Sequence, residues 1–306
     1  MLQPVIPEKV RGRGRQRRID HDRVRELGTQ GVTPTLIAAE VGGTELYIRQ
    51  ILKGITGDGC NQGLSRFTSR PLFGRAASGM PAIDHPAIES GRTLFPNQVK
   101  QPAEGGLFKS GHNSTKIGRQ ISKGKWRGFE VYTLTLEERA TCPKACKHWR
   151  SCYGNNMQMA QRFAHGEALE TALVYEIASL ATRHPKGFAV RLHVLGDFYS
   201  VRYVRLWEIL LEECPQLHVF GFSARWDCRS DPIARELVPL VRKQWDRFAI
   251  RFSNAPVDEC STISIEHPFQ KPDDAIICPQ QLGKTAACAT CALCWQSKRR
   301  IAFIQH

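Results

Sequence analysis

A chain of 306 residues with a formal net charge of +14 and 11 cysteines is long enough to bury a core of its own, in one large domain or two, so disulfide staples are not needed for stability. No apolar run approaches the roughly 20 residues of a membrane-spanning helix, and the start MLQPVIPEKVRGRGRQRR has no apolar core followed by a small-residue cleavage site. The expectation is a cytoplasmic protein with no membrane partner, its thiols metal ligands or buried groups and its charge suited to DNA or another nucleic acid.

Residues 1–18 carry Lys9, Arg11, Arg13, Arg15, Arg17 and Arg18 against Glu8 and are expected to be a disordered basic arm. A helix-turn-helix is predicted over residues 19–54. Asp20 caps a first helix bearing Val24 and Leu27, and Gly31 ends it. Thr33 and Pro34 open a second helix, Gly42 and Gly43 make the turn, and Thr44 caps a third with Tyr47, Ile48, Ile51 and Leu52. Small Ala38, the turn at Gly42 and apolar Ile48 have the spacing that lets two such helices cross. Thr44, Glu45, Arg49 and Gln50 are the candidates for DNA contact on the third helix, with Arg11, Arg13 and Arg15 in a neighbouring minor groove. An ordinary helical hairpin used for protein contacts is the alternative.

Residues 55–106, rich in Gly, Pro, Ser and Arg, read as a linker followed by irregular structure. The basic run Lys116–Gly128 has no Walker pattern and reads as a solvated hairpin. From there strands and helices alternate. FEVYTLTL, FAVRLHVLGDFYS, LHVFGFSAR and RFAIRFSNA are strand-like. Between them lie a helix with Leu169, Leu173, Ile177 and Leu180 on one face, then YVRLWEILLEEC and PIARELVPLVRKQW. Such repetition predicts an α/β fold with a parallel sheet or partial (β/α) barrel over residues 107–306, beside the small all-α N-terminal segment.

The unusual residues fall just after strands. Cys142, Cys146 and Cys152 follow the first, Gly196 and Asp197 the second, Ser223 and Arg225 the third, and Arg251 and Ser253 the fourth. Ligand sites in parallel sheets lie at the carboxyl ends of strands, so one mouth is expected. Taken alone, GDFYS also reads as a tight turn with Asp197 capping the next helix. Cys142, Cys146 and Cys152 have C-x3-C-x5-C spacing, and three thiolates leave one iron of a four-iron cluster without a protein ligand. Zinc with His148 as a fourth ligand is the alternative. Cys278, Cys288, Cys291 and Cys294, spaced C-x9-C-x2-C-x2-C, can enclose a second cluster or a tetrahedral zinc. Cys60, Cys214, Cys228 and Cys260 stand singly and read as small buried hydrophobes.

The stretches SGHNSTKIG, LTLEERATCPKACKHWRSCYGNNM, VRLHVLGDFYS and ICPQQLGKTAACATCALCW resemble those of phage gene-product-88-like proteins, over about residues 107–306. That resemblance implies a phage or mobile-element origin and names no activity. More distantly, the cysteine loop after a first strand is similar to that of radical S-adenosylmethionine enzymes. There the resemblance implies that Cys142, Cys146 and Cys152 hold a four-iron cluster. Its open iron binds S-adenosylmethionine, and an electron from a donor protein cleaves the cofactor to a 5'-deoxyadenosyl radical. It further implies that Gly196 and Asp197 meet the methionine amino group and that Ser223, Arg225, Arg251 and Ser253 meet carboxylate or ribose. The family spacing is C-x3-C-x2-C, so extra residues precede Cys152 here. Two rivals stand beside this reading: a redox- or iron-sensing DNA-binding regulator without catalysis, and a zinc-stabilised nucleic-acid-binding protein.

Overall fold

The structure is a computed structural model that describes residues 19–52, 80–82, 84–102, 106–256 and 259–305, with the side chain of Gln50 left aside. The arm with Arg11, Arg13 and Arg15, and also Cys60, lie outside the described residues. The chain divides into two units, one ending at Ser69 and one beginning at Arg70.

In the first unit, α1 (His21–Thr29), α2 (Pro34–Val41) and α3 (Glu45–Leu52) form where local signals place them. Asp20 Oδ1 accepts the free N–H groups of Asp22 and Arg23, at 3.0 and 3.1 Å, which a first turn cannot satisfy internally. Gly31 and Gly42 take φ of 80° and 78°, a region open to glycine without steric cost. The N–H of Gly42 closes α2 on Ala38 O, and Thr44 Oγ1 accepts the Tyr47 N–H at 3.3 Å to open α3. Val24, Leu27, Ile37, Ala38, Ile48 and Ile51 are buried together. A Cβ on Gly28 would stand 2.2 Å from Leu52 Cδ2, so α1 and α3 cross closely there.

The second unit contains, in chain order, α4 (Pro86–Glu89), β1 (Val99–Lys100), β2 (Lys109–Ser110), β3 (Glu130–Thr133), β4 (Arg162–Phe163), α5 (Glu167–Arg183), β5 (Phe188–Leu192) and α6 (Val201–Glu213). It continues through β6 (Leu217–Ser223), α7 (Pro232–Gln244), β7 (Phe248–Ser253), β8 (Ser261–Ile265), β9 (Ile276–Ile277), α8 (Cys288–Cys291), α9 (Leu293–Gln296) and β10 (Ile301–Ile304). Eight strands form one sheet in the order β2-β3-β5-β6-β7-β8-β10-β9. All pairs are parallel except β2 with β3. β1 and β4 make a separate parallel pair. Strands consecutive in sequence are neighbours from β5 to β8; α6 connects β5 to β6 and α7 connects β6 to β7, whereas β7 passes to β8 with no helix among the described residues. Among the described residues, no helix is long and apolar enough to cross a membrane.

Parallel strands buried on both faces read as near-continuous apolar runs, which is why β5, β6 and β7 were legible. Alternation divides their side chains between the faces. Register pairs Arg191 with Phe220 and Phe222 with Arg251, so these four share one face. Val190, Leu192, Val219 and Ile250 share the other. Leu169, Leu173, Ile177 and Leu180 of α5 are buried, as their spacing predicts. Of the single cysteines, Cys214 and Cys260 are buried, but Cys228 is exposed. It sits in the turn before α7, where no core covers it.

Gly221 in β6 has no room for a side chain, because a Cβ would lie 1.7 Å from the backbone oxygen of Leu192. Backbone of a central strand cannot step aside. Gly221→Ala is therefore expected to lower unfolding free energy by about 1–3 kcal/mol, read as a lower urea midpoint at an unchanged slope.

Candidate metal centres

The connection from β3 to α5 is the three-cysteine loop, and side chains from the ends of β5 and β6 hold it in place. Thr141, next to Cys142, donates its hydroxyl to Glu137 O at 2.8 Å and accepts the Asp197 N–H at 3.1 Å. Asp197 Oδ1 accepts from Ser223 Oγ and the Phe198 N–H, both at 2.7 Å, and Oδ2 accepts the Ala224 N–H at 2.7 Å. Arg225 donates to Phe198 O and to Thr141 O at 3.2 Å, while its Nη1 meets Asp231 Oδ2 at 2.8 Å. Gly196, with φ of 86°, turns so tightly against the loop that a Cβ would stand 2.6 Å from Thr141 Oγ1. The structure thus brings Gly196, Asp197, Ser223 and Arg225 together beside Cys142.

Asp197 does not cap α6. Ser200 does, accepting the Tyr203 N–H at 3.0 Å. The Asp197 carboxyl instead joins the ends of β5 and β6, and burial pushes it up to about 6 against the opposing pull of Ser223 and Ala224. The end of β7 reaches the loop by a relay: Asn254 Oδ1 accepts the Ser264 N–H at 3.0 Å, and Ser264 Oγ lies 2.9 Å from His148 Nε2. His148 Nδ1 lies 3.3 Å from Ser151 Oγ. With hydroxyls at both ring nitrogens, His148 is a loop fastener in this arrangement. Ser253 stays at the end of β7, half-buried.

Loop residues that sequence reasoning passed over do much of the positioning. Glu138 and Arg162 form a buried bidentate pair at 2.6 and 3.1 Å. Arg162 also donates to the carbonyls of Gly154, Met157 and Ala160, and Thr93 Oγ1 donates to Glu138 at 2.8 Å. Arg139 donates to Trp149 O, Arg92 O and Asn155 Oδ1. Arg92 in turn holds Glu137 at 2.7 Å. The signal was the run Glu137-Glu138-Arg139 shortly before a cysteine, but its partners lie up to 47 residues away in sequence.

The four-cysteine segment is the connection between the parallel strands β9 and β10. Cys278, Cys288, Cys291 and Cys294 line one small cavity with Pro279, Gln280, Leu293 and Ile301. Its cradle is the Lys116–Gly128 stretch, which corrects the expectation of a solvated hairpin. Cys288 N–H donates to Lys116 O, Ala289 N–H to Ile117 O, and Ser122 N–H to Ala289 O, while Trp126 stacks on Trp295 at 5.5 Å. Ile117, Ile121 and Trp126 are buried, so the apolar residues of that stretch outweigh its lysines.

Arg251 is likewise reassigned. It is fully buried and donates to the carbonyls of Leu293, Cys294, Ser297 and Arg299. A guanidinium so engaged holds the cysteine loop against β7 and is not open to a cofactor. In the first unit, Arg49 is exposed and paired with Glu45 at 2.7 Å, Glu45 accepts from Thr35 at 3.0 Å, and the Thr44 hydroxyl is used in its cap.

Burial raises the Cys142, Cys146 and Cys278 thiols, pushes Cys152 and Cys288 up to about 11, and raises Cys294. Around the four-cysteine group the opposing charges are cationic: Lys116 acts on Cys278 and Cys288, Arg191 on Cys288, and Arg251 on Cys294. A donor set of four thiols, Cys278 buried and the other three half-buried, facing three cations fits a ligand set that carries negative charge once metallated. Among the described residues, no group of three or more His, Cys, Asp or Glu side chains stands arranged around a single ion, so each set would have to close on what it binds. The three non-glycine residues with left-handed backbone among the described residues are Arg139, Asn254 and Ala292. The first lies in the three-cysteine loop, the second in the relay to His148, and the third between Cys291 and Cys294. Strained backbone of this kind gathers at functional sites.

Compared with protein-family models, curated proteins and solved structures, the chain matches none.

Removing one partner of the Glu138–Arg162 pair leaves a buried charge alone. Glu138→Ala is expected to cost about 3–5 kcal/mol, measured by urea unfolding, whereas Lys125→Ala, which breaks an exposed pair with Asp246, should leave the midpoint within error.

Proposed function

We propose that the protein is an iron–sulfur enzyme of the radical S-adenosylmethionine type, carrying a DNA-binding helix-turn-helix at its N-terminus. The observation that carries this reading is the fixing of the Cys142, Cys146 and Cys152 loop at the carboxyl ends of β3, β5 and β6, through Thr141, Asp197, Ser223 and Arg225. Strands that are neighbours both in sequence and in the sheet support a partial-barrel scaffold around that mouth. Three thiolates would hold a four-iron cluster with one position open, and the cluster would supply single electrons to a sulfonium cofactor bound there. Asp197, Ser223 and Arg225 are committed to one another, to Asp231 and to backbone, so their role is to position this loop, while Arg251 holds the four-cysteine segment. Cys278, Cys288, Cys291 and Cys294 would enclose a second, fully ligated cluster in the β9–β10 connection.

Anaerobically purified protein is expected to be brown and to contain iron and acid-labile sulfide. A triple Cys142→Ala, Cys146→Ala, Cys152→Ala variant is expected to keep about half the iron. With reductant and S-adenosylmethionine, the wild type forms 5'-deoxyadenosine and the triple variant does not. A colourless zinc protein would end this reading and favour a nucleic-acid-binding scaffold; iron with no cofactor cleavage would favour a redox-sensing regulator.

DNA affinity is expected to fall with rising salt, and to fall further in Arg49→Ala and in a chain lacking residues 1–18, measured by fluorescence anisotropy with duplex DNA. Unchanged, salt-insensitive affinity in both would remove the helix-turn-helix from the reading.

A further inference from the structure

The amino ends of the strands form a second edge of the sheet, opposite the one that holds the three-cysteine loop. Three basic stretches lead into strands there: 123–127 before β3, 246–247 before β7 and 298–300 before β10. Because β3, β7 and β10 run parallel through β5, β6 and β8, the topology delivers all three stretches to one side. Contacts join them. Gln296 Nε2 donates to Lys123 O at 3.1 Å, the Trp126 Nε1–H donates to Asp246 O at 3.0 Å, and Lys125 Nζ meets Asp246 Oδ1 at 2.9 Å. Lys125 and, less strongly, Lys298 hold the Asp246 carboxyl below its ordinary range.

Positive charge is left over on this edge. Across residues 116–128, 242–247 and 297–300 the only carboxylate is Asp246. From outside those stretches Glu130 takes Arg119, Glu208 takes Lys243 and Asp274 takes Arg300, at 3.3, 3.7 and 3.5 Å. Glu212 and Glu213 end α6 at the same edge, and among the described residues no ion pair or hydrogen bond joins them to the three stretches. Lys123, Arg127 and Lys298 are exposed, and among the described residues none of these three side chains makes a hydrogen bond or ion pair. The turn that presents the first two is closed by the Arg127 N–H on Gly124 O at 3.1 Å.

The absence of apolar anchors on this surface narrows the partner. The large apolar residues of the three stretches are turned inward: Ile117, Ile121, Trp126 and Trp245 are buried, and Trp126 is stacked on Trp295. Protein interfaces are anchored by aromatic and apolar groups at their centre, and segments that lie on membranes by apolar side chains that enter the lipid. A sugar-phosphate backbone can be held by Lys and Arg without either. We propose that this amino-end edge of the sheet is a nucleic-acid surface of the second unit, at which Lys123, Arg127 and Lys298 bind backbone phosphates without reading base sequence. This goes beyond the functional reading above, because it needs neither the helix-turn-helix nor a cluster in either cysteine group.

The test uses the full-length chain and fluorescence anisotropy over a salt series, with labelled duplex DNA and, separately, labelled single-stranded RNA. A double Lys123→Ala, Lys298→Ala variant is compared with a double Arg229→Ala, Arg235→Ala variant, which removes the same charge from exposed positions at the carboxyl-end side of the sheet, and with Lys123→Arg, Lys298→Arg. The expected result is that the lysine-to-alanine pair weakens binding of at least one of the two nucleic acids about tenfold or more near about 0.1 M salt and makes the salt slope shallower by about 2. Adding Arg127→Ala weakens it further, the other two double variants stay within about twofold of wild type, and the urea midpoint is unchanged in all. Whichever nucleic acid shows the loss identifies the form bound. The proposal is overturned if neither binds, if the lysine-to-alanine pair keeps the wild-type affinity and slope, or if the Arg229 and Arg235 pair loses as much, since net charge alone would then account for binding. Polyglutamate bound as tightly as the nucleic acids, with the same dependence on Lys123 and Lys298, would replace them by an acidic protein. Arg49→Ala, measured alongside, reports the first unit separately: if it binds as wild type while the lysine-to-alanine pair is weakened, the helix-turn-helix is lost from the functional reading and this surface stands.

Discussion

Buried backbone outside helices and strands has to find hydrogen-bond partners, because an unpaired carbonyl in the interior costs as much as a lost bond. In this protein arginine guanidinium groups meet that demand. Arg162 collects the carbonyls of Gly154, Met157 and Ala160, Arg139 those of Arg92 and Trp149, and Arg225 those of Thr141 and Phe198. Arg251 does the same for Leu293, Cys294, Ser297 and Arg299 at the other cysteine group. Five donors in a planar fork let one side chain bind several carbonyls in a loop with no regular structure. Without them, neither cysteine segment could be packed against the sheet.

This use of arginine changes what the net charge of +14 means. A basic composition suggests a surface field for polyanions, yet Arg162 and Arg251 are fully buried and Arg139 nearly so. Their charge is directed inward, at Glu138 in one case and at carbonyl dipoles in the others. The positive charge available to a nucleic acid is correspondingly smaller than composition implies. In the first unit the exposed Arg23, Arg25 and Arg49 are each paired with a carboxylate.

How much was legible in the sequence followed from how local each determinant is. The caps at Asp20 and Thr44 and the turn at Gly42 act within four residues, and the helices begin and end where those residues place them. The apolar runs of β5, β6 and β7 are also self-contained, because burial on both faces needs no partner to be recognised. The convergence of Asp197, Ser223 and Arg225 on the cysteine loop came from topology, since parallel strands deliver their carboxyl ends to one side. The short strands β2, β8, β9 and β10 were missed, since two to five residues carry too little periodicity. Arg251 was misassigned because an arginine near a strand end reads the same whether it faces a cavity or four carbonyls. Glu138 was not seen at all, for its meaning lies in Arg162 and Thr93.

The two cysteine groups are fixed by different means, and the difference bears on what each can do. The four-cysteine segment joins neighbouring parallel strands, so β9 and β10 anchor both its ends, and the Lys116–Gly128 stretch and Arg251 close over it. On the proposed reading, four thiols held on all sides would favour a fully ligated site that keeps its geometry through a change of charge. The three-cysteine loop is tied on the strand side by Thr141 and on the outer side by Arg139, Arg162 and His148, none of which adds a fourth thiolate. On the proposed reading such a frame supplies three thiolates and would leave one position of a cluster for an exogenous group.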